Sequence, residues 1–199
     1  MGNVPSRKRL IADLQFLQCE DLEIWCIGGS VRACLTGERY NDNDLVFVDE
    51  KTYHEFERRM LARDDVECSY HPRLMVVRKS DGHWYDPLDW AYGPIQYHID
   101  YNDWMHTATA CDMRGNFILD PRTVQSIETK TLMPGKSMHA LDFQLRHMYR
   151  FINEGWSYDD NLFHTMARKI HDATTFEWSD KPGRRGSMQS PPINPKRIA

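Results

Sequence analysis

Asp42 and Asp44 stand two positions apart at the head of the apolar run over 45–48. Alternate residues of a strand point to one face, so these carboxylates project together with Cα atoms about 6.5–7 Å apart. A pair of this kind suits Mg2+, which binds through one or two carboxylates and takes its remaining oxygens from substrate phosphates. Two such ions about 4 Å apart would clamp the attacking and leaving oxygens of an in-line displacement. Upstream, Gly28-Gly29 interrupts an apolar segment and Ser30-Val31-Arg32 opens what reads as a helix. Glycines at such a turn let the backbone approach a polyphosphate, while the helix N-terminus, Ser30 and Arg32 supply donors and positive charge. Arg39, between the two devices, adds a further cation for phosphate or else faces solvent from a turn. No GxGxxG dinucleotide loop or Walker loop is present.

The elements that position these residues follow from periodicity and turn chemistry. Residues 6–19 read as an amphipathic helix, 23–27 as a buried strand, and 30–36 as a helix capped by Ser30 and stopped by Gly37. A strand over 44–48 follows, then a helix over 50–63 with Phe56, Met60 and Leu61 as its buried stripe. Three β-rich runs come next, at 66–70, 74–79 and 83–90, punctuated by His71-Pro72 and Asp81-Gly82. A short strand over 117–119 is closed by Asp120-Pro121, and a short helix lies within 124–132. Two helices, over 137–154 and 159–174 and split by Gly155, complete the chain. The fold class this predicts is α/β (α+β): a mixed sheet flanked by helices, with a short helical C-terminal segment. The division expected is a head over 1–135, a helical segment over 136–178 and a basic tail over 179–199.

Composition narrows the class. The 199 residues are 41% hydrophobic, enough to bury a core, and no apolar run is long enough to span a bilayer. The five cysteines are odd in number and form no Cys-x-x-Cys, which fits a reducing cytoplasm better than a disulfide framework or zinc site. His171-Asp172 lacks the companion histidines of a metal hydrolase. Net charge is −4, yet Lys181, Arg184, Arg185, Lys196 and Arg197 are unopposed by any acidic residue after position 180, so the remainder is more acidic still. An acidic body disfavours indiscriminate nucleic-acid binding while permitting a local basic groove. The opening Met1-Gly2 with Arg7-Lys8-Arg9 matches a loose myristoylation pattern.

Taken in order, Gly28, Gly29, Val31, Arg32, Leu35 and Gly37, then Asp42 and Asp44, resemble the signature Gly-Gly-x-Val-Arg-Asp-x-Leu-x-Gly…Asp-x-Asp. That signature belongs to the head domain of class II tRNA nucleotidyltransferases and bacterial poly(A) polymerases, within the polymerase β superfamily. A second block, residues 103–112 followed by Gly115 and Asp120-Pro121, is similar to that family's Arg-Arg-Asp-Phe-Thr-Ile-Asn-Ala-x-x-Tyr-Asp. The resemblance covers about residues 22–157 and is strong only in the first block. It implies Mg2+, two ions in all, held by Asp42 and Asp44, and a nucleoside triphosphate as substrate. It also implies an RNA (tRNA-like) 3′ end as acceptor and pyrophosphate as leaving group. A third carboxylate on a neighbouring strand is implied as well, with Asp86 the choice and Asp89 the alternative, Pro87 between them marking an edge or bulge. Asp103, Arg146 and Arg150 are the remaining nucleotide-binding residues it suggests.

The departures are specific. Ala33 stands where the family has aspartate, Tyr101-Asn102 where it has Arg-Arg, and Thr107 where it has asparagine. The Glu-Asp-x-x-Arg motif that reads the incoming base has no counterpart after Gly155. Two other readings therefore stand beside RNA-terminal transfer: nucleotidylation of a protein or small molecule, and a noncatalytic nucleotide- or RNA-binding module.

Overall fold

The computed structural model describes residues 7–40, 42–70, 73–135 and 141–175. Its seven helices are α1 (Arg7–Gln15), α2 (Gly29–Thr36), α3 (Glu50–Leu61), α4 (Ile95–Asp100), α5 (Pro121–Thr129), α6 (Leu141–Asn153) and α7 (Leu162–Thr175). Its strands are β1 (Ile24–Ile27), β2 (Asp42–Phe47), β3 (Val66–Tyr70), β4 (Leu74–Arg78), β5 (Trp84–Tyr92), β6 (Thr109–Asp112) and β7 (Phe117–Leu119). They form one mixed sheet in the order β3-β4-β5-β2-β1-β6-β7. Among the described strands only the β2–β5 pair is parallel. The α/β class and the mixed sheet flanked by helices are as expected. Among the described residues no helix is long and apolar enough to cross a membrane.

Strand alternation gives the sheet two unlike faces. On one, Cys26, Leu45, Phe47, Leu74, Val76 and Tyr85 pack against Leu10 and Leu14 of α1, Val31 of α2 and Phe56 and Met60 of α3. The stripe of α3 is Tyr53, Phe56 and Met60, whereas Leu61 is 55% exposed and is no part of it. At 3.6 residues per turn, Tyr53, Phe56 and Met60 share one side of the helix and Leu61 has turned past it. Asp49 caps α3 by accepting a hydrogen bond from the Thr52 N–H at 2.7 Å.

Among the described residues the opposite face is covered chiefly on one half. Around β1 and β6, Trp25, Ile27 and Ala110 pack with Ile95 and Ile99 of α4 and with Met105. Helix α4 and the 3-10 turn over Met105–Thr107 have too short a period to be legible in the sequence. Gly135 lies so close to this layer that a Cβ there would stand 1.7 Å from the Asn102 carbonyl oxygen.

Several boundaries move. Strand β2 begins at Asp42, two residues before the expected start, so both aspartates belong to it. Helix α5 starts at Pro121, with Asp120 as cap, because proline suits the first helical position, where its missing N–H costs nothing. Pro87 is on a central strand and not at an edge; its register with β2 breaks between Leu45 and Phe47, which is the bulge that accommodates it.

The C-terminal helices dock through Trp104, Leu132, Met148, Phe151, Trp156, Leu162 and Met166. The expected helix start at 137, the basic tail, the myristoylation-like opening and the His71-Pro72 turn lie outside the described residues.

Candidate functional site

The site is built where β1, β2 and β5 run side by side. Asp44 is opposite Ile27 in the antiparallel β1–β2 ladder and opposite Asp86 in the parallel β2–β5 ladder. Residues opposed in register share a face, so Asp42, Asp44 and Asp86 belong to the face away from α1, α2 and α3. Asp42 is exposed, Asp44 half-buried and Asp86 8% exposed. Asp89 is exposed beyond the bulge. Asp86 is thus the carboxylate in register with Asp44.

Burial, together with the charges of Asp42 and Asp86, pushes the Asp44 carboxyl up to about 7, with Arg73 acting in the opposite sense. Like charges this close favour the neutral form until a cation intervenes. Asp86 already has one: Arg73 donates from Nε to Oδ1 at 2.7 Å and from Nη2 to Oδ2. Arg73 is the main site residue missed from sequence, because it precedes β4 outside any recognisable motif and meets Asp86 only when β4 pairs with β5.

Gly28 ends β1 beside Asp44, and a Cβ built on it would lie 3.8 Å from Asp44 Oδ2. Its φ of 75° with ψ of −131° is a conformation that only glycine adopts readily. The Gly28 N–H is not a free phosphate donor, since it bonds the Thr109 carbonyl at 3.2 Å. In the first turn of α2 the N–H groups of Gly29, Ser30 and Val31 have no intrahelical acceptor, an arrangement able to bind an anion. Gly28 and not Ser30 occupies the cap position. The Ser30 hydroxyl is buried against Cys26 Sγ at 3.1 Å, because the cap falls two residues earlier, at Gly28.

Arg32 is also turned inward. It is 6% exposed, pairs with Glu38 at 3.0 Å and lies over the Phe151 ring at 5.3 Å, so its contacts are with α6 and the loop after α2. Arg150 is exposed, reaches Glu154 at 3.5 Å and covers the same Phe151 ring at 4.9 Å. Arg146 is exposed on α6, and Arg39 is exposed between α2 and β2. Asp103 accepts from Gln144 Nε2 at 2.8 Å, while Gln144 Oε1 accepts from the Trp104 indole at 2.6 Å. The structure therefore gathers Gly28, Asp42, Asp44 and Asp86 at one point, and places Arg32 and Arg150 at the junction with the C-terminal helices.

A second missed layer lies behind β2. Asn43, between the two aspartates, points to the helix-covered face and meets His83 Nε2 at 2.9 Å. Nearby, the buried Asp13 carboxylate accepts from Arg78 at 2.9 Å and from the Tyr40 hydroxyl at 2.8 Å, and the Asp13 carbonyl accepts from the Tyr85 hydroxyl at 2.7 Å. These contacts tie α1, β4, β5 and the loop entering β2 together, and so fix where the acidic strand begins.

Among the described residues, no three His, Cys, Asp or Glu side chains form a ready-made metal cage. The site nevertheless fits Mg2+ of the kind completed by substrate oxygens. Asp42 and Asp44 form the pair, the repulsion on Asp44 calls for a cation, and the backbone at Gly28 leaves room beside Asp44 Oδ2.

No protein-family model matches the chain, and neither does any curated protein. Solved structures do match in fold. The Thermotoga maritima CCA-adding enzyme complexed with tRNA superposes with a TM-score of 0.57 at 17% identity, covering 82% of this chain and 42% of that one. A tRNA nucleotidyltransferase complexed with a primer tRNA and an incoming ATP analog gives 0.57 at 14% identity, covering 79% and 49%. The Bacillus stearothermophilus CCA-adding enzyme in complex with CTP gives 0.52 at 15% identity, covering 77% and 40%. This chain therefore has a nucleotidyltransferase-type fold and spans less than half the length of these structures.

Proposed function

We propose that this chain transfers a nucleotide from a nucleoside triphosphate to the terminal hydroxyl of an RNA acceptor, releasing pyrophosphate. The observation that carries the reading is the register Ile27–Asp44–Asp86. It sets two carboxylates of one strand and a third of its neighbour on one face, with Gly28 and the α2 N-terminus alongside. The complexes with tRNA, an ATP analog and CTP among the structurally similar proteins support the choice of nucleotide and RNA.

In this proposal the N–H groups of Gly29, Ser30 and Val31 bind the β and γ phosphates. Asp42 and Asp44 would hold Mg2+, which when bound neutralises charge on the transferring phosphoryl group. Asp86 stands on the other side of Asp44 from Gly28 and orients the acceptor hydroxyl, taking its proton. That oxygen bonds to the α phosphorus as the bond to the bridging oxygen breaks, and pyrophosphate carries away the electron pair. Arg73 positions Asp86 until metal and substrate arrive. The head is proposed to be residues 1–135 and the helical segment 136–178 to be neck-like.

The test is incubation of the purified chain with Mg2+, each α-labelled nucleoside triphosphate, and a mixture of total RNA and protein, beside Asp42→Asn/Asp44→Asn. Label on RNA with wild type alone is the expected result. Label on protein would replace the acceptor assignment, and nucleotide binding without transfer would make the chain a binding module.

A further inference from the structure

One half of the site face is covered by α4, whereas over β4 and the start of β5 the face is more open among the described residues. There Trp84 is 51% exposed, with the half-exposed Met75 and Val77 of β4 beside it. Trp84 is opposite Asp42 in the β2–β5 ladder and opposite Val77 in the β4–β5 ladder, so all three share the face. It also precedes Asp86 by two residues on β5, which places the two Cα atoms about 6.5 Å apart on that side. About half of this large apolar side chain is open to solvent, and it borders the carboxylates directly.

We infer that Trp84 is a stacking platform for the base of the acceptor's terminal nucleotide, and that the acceptor enters as a single strand across β4 and β5. The inference rests on the transfer reaction proposed above and assigns its acceptor side. Attacking and leaving oxygens stand in line across the transferred phosphorus. The phosphate donors of α2 lie on the β1 side of Asp44, so the attacking hydroxyl arrives from the β5 side, where Asp86 and Trp84 are. A flat aromatic face offers contact to any base, with little sequence preference, and the flanking Met75 and Val77 extend the apolar floor. Arg73, released from Asp86 as metal and acceptor arrive, supplies the positive charge that an incoming backbone phosphate requires next to three carboxylates.

The experiment is fluorescence anisotropy with a short labelled single-stranded RNA, and with the same RNA lacking only its 3′-terminal base, against wild type, Trp84→Phe and Trp84→Leu. Wild type is expected to bind the intact RNA about tenfold more tightly than the abasic one. Trp84→Leu should lose that preference and Trp84→Phe keep most of it, with affinity for a fluorescent nucleoside triphosphate unchanged in both. Equal binding of intact and abasic RNA by wild type, or an unaltered preference in Trp84→Leu, overturns the inference. So does a change from dimer to monomer in Trp84→Leu by sedimentation, which would make the face a contact between copies. Labelled-nucleotide transfer by wild type is measured in parallel. Transfer without a Trp84 effect removes this inference alone, whereas absence of transfer removes the reaction it rests on.

Discussion

Arg73 and Asp86 form a two-pronged ion pair, with Nε donating to Oδ1 at 2.7 Å and the second guanidinium nitrogen donating to Oδ2. Asp86 is in turn opposite Asp44 in the parallel ladder, so the arginine offsets negative charge at the point where three carboxylates meet. A divalent cation at this face competes with the guanidinium for Asp86 or leaves the pair intact and uses Asp42 and Asp44. The two cases differ in a measurable way.

Arg73→Gln should lower stability in chelator by about 1–3 kcal/mol, because a largely buried carboxylate loses its charged donor. Added Mg2+ should then stabilise the variant by more than it stabilises wild type. Thermal denaturation across a Mg2+ titration decides this, and equal stabilisation of the two proteins would mean that Arg73 and the metal do not compete.

Asp44 predicts an inverted pH dependence. Its folded-state value of about 7 lies above the ordinary carboxyl range, so between about pH 4 and pH 7 the folded chain keeps a proton that the unfolded chain has released. The stability this supplies is fully present below the unfolded value and is lost as pH rises through the folded one. In metal-free buffer the difference between wild type and Asp44→Asn should change by on the order of 1–3 kcal/mol across that window. Urea denaturation at several pH values measures it, and a flat difference contradicts it.

Gly28→Ala should cost about 1–3 kcal/mol from its backbone conformation alone, and weaken nucleoside triphosphate binding through the changed start of α2. Gly135→Ala should cost more, since its Cβ would strike the Asn102 backbone and not merely approach a side chain. Equilibrium unfolding ranks the two, with nucleotide affinity affected specifically in the first.

His106 carries the opposite expectation, a gain. Its ring is fully buried, 4.3 Å from Phe151 and 4.4 Å from Trp156, and neither nitrogen has a hydrogen-bond partner among the described residues. Burial, with Arg32, Arg150 and His147 nearby, holds it well below the usual histidine range. His106→Phe should stabilise by about 1–2 kcal/mol near pH 7, because two desolvated polar atoms are removed. The advantage should widen as pH falls below about 6.5, where the unfolded wild type takes up a proton that the folded state refuses. Melting temperatures at pH 7.5 and pH 5.5 check both statements.

What local chemistry encodes was legible in the chain. The glycine pair, the acid pair and their intervening helix form a contiguous signature, and most strands follow from apolar runs separated by turn residues, whereas β6, four residues long and between β1 and β7, was missed. The strand at 117–119 and the turn at Gly37 depend on near neighbours alone. Boundaries shifted where a cap or proline set the start, as at Gly28 and Pro121, and Leu61 was misplaced because a composition-based stripe ignores helical phase.

Only the tertiary structure decided which distant residues meet. Strand order put β5 beside β2, and that register distinguishes Asp86 from Asp89, which are three residues apart and chemically identical. The pairing of β4 with β5 brought Arg73 to Asp86, and that of β5 with β2 set the half-exposed Trp84 beside Asp42. Docking of α6 likewise turned Arg32 inward, over the Phe151 ring, where Glu38 of the loop after α2 pairs with its guanidinium. Periodicity fixes which side of a strand a residue occupies, but not which strand becomes its neighbour. That choice belongs to long-range packing, whose loop-closure entropy and buried area no local window contains.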